Sequence, residues 1–228
     1  MTRSFPQSLT KNDFAYVQLR ELILTGALEP GSQLQQGRLA EEMGVSTTPL
    51  REAIRRLSSE GLITLAAHRD ARVTNVTQRE AEDLFTVRKQ LDPLASELAA
   101  KERTEKELSA IQEAEQDLRP LTNDGNVEAL LAHREFHRRI YLASHNDILI
   151  DMLERLWDKA DRYRVIGLRL RGDSPEETER VAAEHHELVE AISAQDPARA
   201  RKAMEDHINS SLGRRAIEVF EKANTSTT

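Results

Sequence analysis

Residues 39–63 read LAEEMGVSTTPLREAIRRLSSEGLI, and this stretch decides the fold of the N-terminal part of the chain. Gly44 suits the left-handed cap that closes the preceding short helix. Ser46 or Thr47 can cap the next helix, and the first turn of that helix accommodates Pro49. Two helices joined by so short a break predict a helix-turn-helix.

The second helix of this motif separates apolar from cationic side chains. Leu50, Ile54 and Leu57 recur at the spacing of one helical face, so we expect them in the core. The polar and cationic side chains then lie on the outer face, where they can contact the major groove of DNA and its flanking phosphates. The predicted DNA-contacting residues are Arg38, Ser46, Thr47, Thr48, Arg51, Arg55, His68 and Arg69.

The flanking segments complete a small domain. The apolar pattern from Phe14 to Thr25 predicts an amphipathic helix ended by Gly26. After EGLI, the segment TLAAHRDARVTNV predicts a two-stranded wing with a polar tip at His68 to Arg72. The helical pattern alone does not distinguish a DNA-binding domain from a small folded module with a solvated charged face.

Residue usage changes near position 76. Nine lysines and arginines accompany eight acidic residues up to this position, and 23 accompany 31 beyond it, so the net charge of −7 divides into +1 and −8. We predict a mainly α protein with a winged helix-turn-helix domain at 1–76 and an all-helical antiparallel bundle at 77–222. The polar tail at 223–228 is expected to be disordered.

Composition also excludes several classes of protein. The chain has no cysteine, which excludes a disulfide framework and thiolate metal sites. No apolar run approaches the roughly 18 residues of a membrane span, and the N-terminus lacks the pattern of a signal peptide. We therefore expect a soluble cytoplasmic protein with no membrane partner.

Three predicted helices carry histidines on their apolar faces. His133 and His137 lie four residues apart within 126–144, so both rings can reach one point. His185 lies on the apolar face of ERVAAEHHELVEAI, and His207 lies on that of the last helix. One such histidine is usually a hydrogen-bonded core residue, whereas four suit a Zn²⁺ or Ni²⁺ ion. The pattern alone leaves both interpretations open.

Arg88 lies in the middle of an apolar helical face formed by Leu84, Leu91, Ala95 and Leu98. A guanidinium stays charged and needs an anionic partner there. Arg88 is either one half of a structural salt bridge to a core carboxylate or a clamp for a carboxylate ligand. Tyr163, within the predicted helix 147–171, is either a wall residue of a pocket for such a ligand or plain core.

Both halves of the chain resemble known families. LTGALEPGSQL, residues 39–63 and the wing resemble the winged-helix domain of the GntR family of bacterial transcription regulators. VRKQLDPLASELAA, HREFHRRIYLASHN and EHHELVEAI followed by MEDH resemble the FCD domain, which is the helical ligand-binding partner in the FadR-like subfamily. The resemblance implies a homodimer that binds a pseudo-palindromic operator and responds to a small organic acid beside a metal ion.

The resemblance also identifies departures from the usual pattern. Metal-binding FCD domains use an aspartate and three histidines; His133 stands at the aspartate position, and His137, His185 and His207 match directly. Zn²⁺ is the expected ion and Ni²⁺ the alternative. Thr47 stands where the family usually has a base-contacting arginine, and Asp70 where the wing usually has glycine, so operator preference is expected to differ.

The leading interpretation is a ligand-responsive transcription regulator, most often a repressor in this family. The alternative is a regulator for which the metal itself is the signal. A metalloenzyme is not expected, because HREFH shares only its histidine spacing with the zinc-protease pattern and has Arg134 in place of the glutamate base.

Overall fold

The computed structural model describes residues 10–65, 70–75, 77–121, 127–170 and 174–210. The chain divides into two compact units, Met1–Val76 and Thr77–Thr228. In its described part the first unit contains three helices and a two-stranded antiparallel sheet: α1 (Lys11–Leu24), α2 (Gln36–Glu42), α3 (Thr47–Ser59), β1 (Ile63–Leu65) and β2 (Ala71–Val73).

Local signals set the ends of these helices. α1 begins before the predicted Phe14, because the Thr10 side chain accepts a hydrogen bond from the Asp13 amide at 3.2 Å and caps the helix. Gly44 follows α2 with a φ of +65°, as its position predicts. Ser46 occupies the N-cap position of α3 with an extended backbone.

The core of the first unit lies between α1, α3 and the wing. Leu50, Ile54 and Leu57 are each at most 2% exposed, which confirms the predicted inner face of α3. In the wing, Ile63 lies opposite Val73, and both side chains are buried against the helices. The charged face of α3 is consequently left on the outside.

Every described element of the second unit is helical, which confirms the all-helical prediction. The helices are α4 (Gln78–Glu102), α5 (Glu105–Gln116), α6 (Val127–Leu142), α7 (Asp147–Leu170), α8 (Pro175–Ser193) and α9 (Pro197–Ser210). No helix was predicted over Glu105–Gln116. The signal for α5 is the reciprocal capping box that Thr104 and Glu107 form at its start. Across the described ranges, no helix combines the length and apolar character that crossing a bilayer requires.

The long helix α4 is the centre of the second unit, and α6, α7, α8 and α9 all pack against it. The apolar core includes the fully buried side chains of Phe136 and Ile140 on α6 and Leu188 and Ile192 on α8. The four predicted histidines extend from the same buried faces. Their positions therefore depend on the apolar packing of three helices.

Two isoleucines on neighbouring helices test this packing. The Ile140 side chain is fully buried, whereas Ile148 is 77% exposed. We expect Ile140→Ala to lower the free energy of unfolding by about 2–5 kcal/mol, because it removes buried surface and leaves a cavity. Ile148→Ala should change it by less than about 0.5 kcal/mol. Urea unfolding of both variants, followed by far-ultraviolet circular dichroism, measures the difference, and equal losses would contradict this account of the core.

Candidate metal centre and nucleic-acid interface

The exposed face of α3 carries most of the predicted DNA-contacting side chains. Ser46, Thr47 and Thr48 are exposed at the start of the helix, and Arg51 and Arg55 are exposed one and two turns later. Arg51 Nε donates to Gln36 Oε1 on α2 at 3.3 Å, and Arg55 Nη1 lies 2.8 Å from Glu52 Oε1. Exposed contacts of this kind are weak, so both guanidinium groups can exchange them for phosphates or base edges.

Arg38 on α2 belongs to the same exposed surface. Its Nε lies 2.6 Å from Glu42 Oε1, one helical turn away. On the wing, Arg72 Nε lies 3.0 Å from Asp70 Oδ2, so the unusual aspartate is compensated by a cation. His68 and Arg69, at the predicted tip of the wing, lie outside the described residues.

Four histidines meet in the interior of the second unit. His133 and His137 come from α6, His185 from α8 and His207 from α9. Each offers a ring nitrogen, and these four atoms all lie within 4.8 Å of one another. Their side chains are at most 4% exposed. The structure thus brings together the four residues that the sequence pattern predicted.

Several ring nitrogens of this cluster are buried without a hydrogen-bond partner. They are Nδ1 of His133, both ring nitrogens of His137 and Nε2 of His185. Such groups lose the hydrogen bonds they made to water and gain none in return, which is costly. A divalent ion coordinated by these nitrogens would satisfy them, so the donor set fits Zn²⁺ or Ni²⁺ chemically.

Electrostatics hold all four rings in the neutral, metal-competent form. Burial lowers the pKa of each histidine, and the positive charge of Arg164 lowers each of them further. A neutral imidazole has a free lone pair for coordination. The metal-free cluster therefore has no tendency to protonate at neutral pH.

A carboxylate orients His207 from outside the cluster. Nδ1 of His207 lies 3.0 Å from Glu184 Oε2, which leaves Nε2 to face the other rings. Glu184 also accepts hydrogen bonds from Ser210 Oγ at 2.8 and 2.9 Å and pairs with Arg180. Such a carboxylate fixes the tautomer and direction of a metal-binding ring.

A cavity of about 250 Å³ opens beside the cluster. Three of the four histidines, His133, His185 and His207, form part of its wall. The other polar lining residues are Glu115, Arg119, Arg164 and Thr178, and the remainder of the lining is apolar. This volume is large enough for several water molecules or one small ligand.

Arg164 on α7 is the buried cation of this cavity. Its side chain is only 4% exposed, its Nη1 donates to Asp161 Oδ1 at 2.9 Å, and its guanidinium carbon lies 4.8 Å from the ring centre of Trp157. Burial lowers the pKa of Arg164 to about 10, although Asp161 opposes the shift. Arg164 therefore remains charged at neutral pH and contributes positive charge to the cavity wall.

Arg88 occupies a different environment from the predicted clamp. Its Nε and Nη2 donate to the two oxygens of Asp92 at 3.1 and 2.9 Å, and Asp92 also accepts from Tyr141. Arg88 is not among the residues that line the cavity. This geometry matches the predicted alternative, a structural salt bridge to a core carboxylate. That carboxylate is Asp92, four residues further along the same helix.

Tyr163, the second predicted effector residue, lies on α7 and contacts the start of α4. Its hydroxyl group accepts from the Thr77 amide at 3.2 Å and lies 2.8 Å from Glu80 Oε2. It is absent from the lining of the cavity. Tyr163 thus fastens the first turn of α4 to α7.

Two family models match the chain. The model described as bacterial regulatory proteins, gntR family, matches residues 11–73, and the FCD domain model matches residues 83–210. The chain belongs to the GntR family and carries an FCD domain. Its exposed α3 arginines fall in the GntR match, and its four histidines and Arg164 fall in the FCD match.

Relatives of this GntR regulator agree with that assignment. The HTH-type transcriptional repressor GlaR of Escherichia coli is 31% identical over 85% of this chain and 90% of its own length. The HTH-type transcriptional regulator McbR of the same organism is 30% identical over 82% of this chain and 84% of its own length. The solved structure titled E. coli McbR/YncC superimposes with a TM-score of 0.74 at 26% identity, covering 95% of this chain and 99% of that one.

The family and these relatives establish the coarse function. The chain is a transcription regulator with a DNA-binding GntR domain and an FCD ligand-binding domain, and its families and relatives are regulators and not enzymes. Sequence reasoning missed Arg164 and Asp161 in the FCD domain, because the basic segment 162–171 gives no periodic signal for which arginine points inward. It also missed Glu184, whose position next to His185 was the available signal.

The buried histidines predict a pH dependence for the metal-free FCD domain. The folded protein keeps these rings neutral, whereas the unfolded chain protonates them below an ordinary pKa of 6.5, so unfolding takes up protons. Stability should therefore fall as the pH drops below about 6.5, by about 1.4 kcal/mol per pH unit for each ring. Urea unfolding of chelator-treated protein across this range measures the slope.

His185→Gln and His186→Gln form a matched pair for this measurement. His185 is buried, whereas the His186 side chain is 66% exposed. His185→Gln should reduce the slope by about one proton, because it removes one buried ring. His186→Gln should leave the slope close to that of the wild type, and an equal change in both variants would contradict the assignment.

Proposed function

We propose that the protein is a dimeric repressor that binds a pseudo-palindromic operator and releases it when a small organic acid binds. In this proposal Zn²⁺ occupies the four-histidine cluster and the acid occupies the adjoining cavity. One observation carries the proposal: partnerless buried imidazoles and the buried cation Arg164 form parts of one cavity wall. Such a wall suits a metal ion together with a carboxylate.

The exposed surface of the GntR domain supports operator binding. Arg51 and Arg55 on α3 are candidates for contacts in a major groove, and Arg38 is a candidate for a flanking phosphate. Thr47 can donate one hydrogen bond to a base or phosphate but lacks the two-pronged guanine contact of an arginine. We therefore expect an operator that differs at the position the usual arginine reads.

Two-fold symmetry follows from the mode of DNA recognition. A single winged helix reads only a short half-site, and two copies related by symmetry read an inverted repeat. A homodimer is therefore part of the proposal. The relative GlaR is named a transcriptional repressor, which supports repression over activation.

The histidine cluster is proposed to hold one divalent ion. His133, His137, His185 and His207 would be its ligands, and Glu184 would fix the ring of His207. When bound, a Zn²⁺ or Ni²⁺ ion would supply positive charge, and it could accept a further anionic ligand by expanding its coordination beyond the four histidines. Because the cluster is buried, a resident ion that helps to hold the effector is better supported than a signal that the cell must load and unload.

The cavity beside the cluster is proposed to bind the effector. Arg164 would pair with its carboxylate, and Thr178 could donate a hydrogen bond to a second polar group. The apolar lining, which includes Leu118, Leu121 and Val181, limits the remainder of the molecule to a small carbon skeleton. These features favour a short carboxylic acid.

The helix α7 offers a route by which the effector could act on the DNA-binding domain. Arg164 at the cavity and Tyr163 at Thr77 are adjacent residues on this helix, and Thr77 directly precedes α4. An anion that moved Arg164 toward itself would also move Tyr163, whose hydroxyl group bonds to Thr77 at the start of α4. The effector changes operator affinity only if it binds one arrangement of this contact better than the other.

Two exposed arginines form a matched test of the DNA-binding surface. Arg38 and Arg155 each pair with an acidic residue one helical turn away, and their side chains are 73% and 80% exposed. Using DNA selected by the purified protein from random sequence, Arg38→Ala should weaken binding and lower the slope of log affinity against log salt by about one. Arg155→Ala on α7 should bind as wild type, and equal behaviour of the two variants would place the interface elsewhere.

Metal analysis tests the histidine cluster directly. Protein purified without chelator should contain about one Zn²⁺ or Ni²⁺ per chain by plasma mass spectrometry. His137→Ala should lose most of this metal, because it removes the fully buried ligand at the centre of the cluster. His186→Ala, which removes an exposed neighbour of the cluster, should retain it. A wild-type protein that stays metal-free even after incubation with Zn²⁺ would refute the metal site.

A further inference from the structure

We propose that the metal and the carboxylate effector bind interdependently in this protein, each strengthening the other, because the four ligands of the ion contribute no negative charge. The inference rests on the metal site of the proposed function and specifies how that site is regulated. It concerns the particular ligand set of this chain, in which His133 replaces a carboxylate.

The ligands of the cluster are all neutral. Among the described residues, the group that could hold an ion consists of four histidines, with no aspartate or glutamate in it. A dication surrounded by four imidazoles keeps its full charge of two. Burying that charge away from water is unfavourable unless an anion compensates it.

The nearest buried carboxylates are already neutralised by arginines. Asp161 pairs with Arg164 at 2.9 Å and with Arg134 at 3.4 Å. Asp92 is held by both donors of Arg88. These two aspartates therefore offer no surplus negative charge to an ion in the cluster.

Two further carboxylates lie near the cluster. Glu115 lines the cavity, and its Oε1 lies 3.0 Å from Nδ1 of His186, so it is outside the ligand set. Glu184 contacts the cluster, but indirectly. It accepts from Nδ1 of His207, on the side of the ring that faces away from the other histidines. It also pairs with Arg180, which offsets its charge. Glu184 can orient His207, but it does not make the ligand set anionic.

Arg164 adds a second positive charge to the same cavity wall. It lines the cavity together with His133, His185 and His207, and its side chain is 4% exposed. Asp161 is shared between Arg164 and Arg134, so it offsets the charge of Arg164 only in part, and the remaining positive charge disfavours an ion nearby. A carboxylate placed in the cavity contacts both positive groups and removes this penalty.

The coupling must be reciprocal. If the acid raises metal affinity by some factor, the metal raises acid affinity by the same factor. Arg164 and the ion would then both recognise the negative charge of the effector. A neutral analogue of equal size would bind much more weakly. The metal would be retained most firmly in the effector-bound state.

The test measures Zn²⁺ affinity by competition with a chelating dye in a buffer free of carboxylate and phosphate. Wild-type protein is titrated alone, with acetate, with lactate, and with acetamide as the neutral control. We expect an acid to tighten Zn²⁺ binding by at least about tenfold, a coupling of the usual allosteric size. Acetamide should have no effect.

His133→Asp is the variant that isolates the missing charge. It restores a carboxylate to the ligand set, so it should bind Zn²⁺ at least about tenfold more tightly than wild type in the anion-free buffer, and it should gain less from either acid. His145→Asp makes the same chemical change at an exposed position whose partner, Glu107, is not part of the cavity wall, and it should behave as wild type. Circular dichroism verifies that both variants fold.

The outcomes separate this inference from the function on which it rests. Equal Zn²⁺ affinity of the wild type and His133→Asp in the anion-free buffer would overturn the inference, whichever acid the cavity prefers, and would leave the metal site intact. If neither protein binds Zn²⁺ under any of the conditions, the proposed metal site itself fails.

Discussion

The arrangement of the FCD domain depends on the burial of four neutral imidazoles at one point. The rings come from α6, α8 and α9, so these helices must keep a fixed register for the ring nitrogens to converge. Apolar packing around α4 provides that register, with Phe136 and Ile140 beside His137 on the same helix. Hydrophobic packing therefore builds a polar centre, and four of its eight ring nitrogens are buried without a hydrogen-bond partner in the protein.

Charge is distributed around this centre in two separate pairs. Arg88 with Asp92 and Arg164 with Asp161 both lie in the interior, and both guanidinium groups lie against Trp157. Only Arg164 reaches the cavity. One pair therefore serves the packing of α4 against its neighbours, while the other places a cation where a ligand can meet it.

Periodicity explains which features could be predicted from the sequence. The helix-turn-helix and the histidines lie on helical faces with clear apolar neighbours, so Leu50, Ile54 and the four imidazoles were assigned correctly to the interior. The inward position of Arg164 was not predicted, because this residue lies in a segment with several arginines and periodicity does not select one of them. The cavity could not be predicted from the sequence, because its wall combines residues from distant parts of the chain that only tertiary packing brings together.

Trp157 gives this domain a built-in optical reporter. It is the only tryptophan in the chain, and its five-membered and six-membered rings lie beside His137 and two cations. The ring centre is 4.9 Å from that of His137, and the guanidinium carbons of Arg88 and Arg164 lie 4.9 and 4.8 Å from it. Indole fluorescence responds to nearby charge, so changes in the cation content of this neighbourhood alter the emission. The GntR domain contains no tryptophan, so its fluorescence does not obscure that signal, and events at the histidine cluster can be followed in the unlabelled full-length protein.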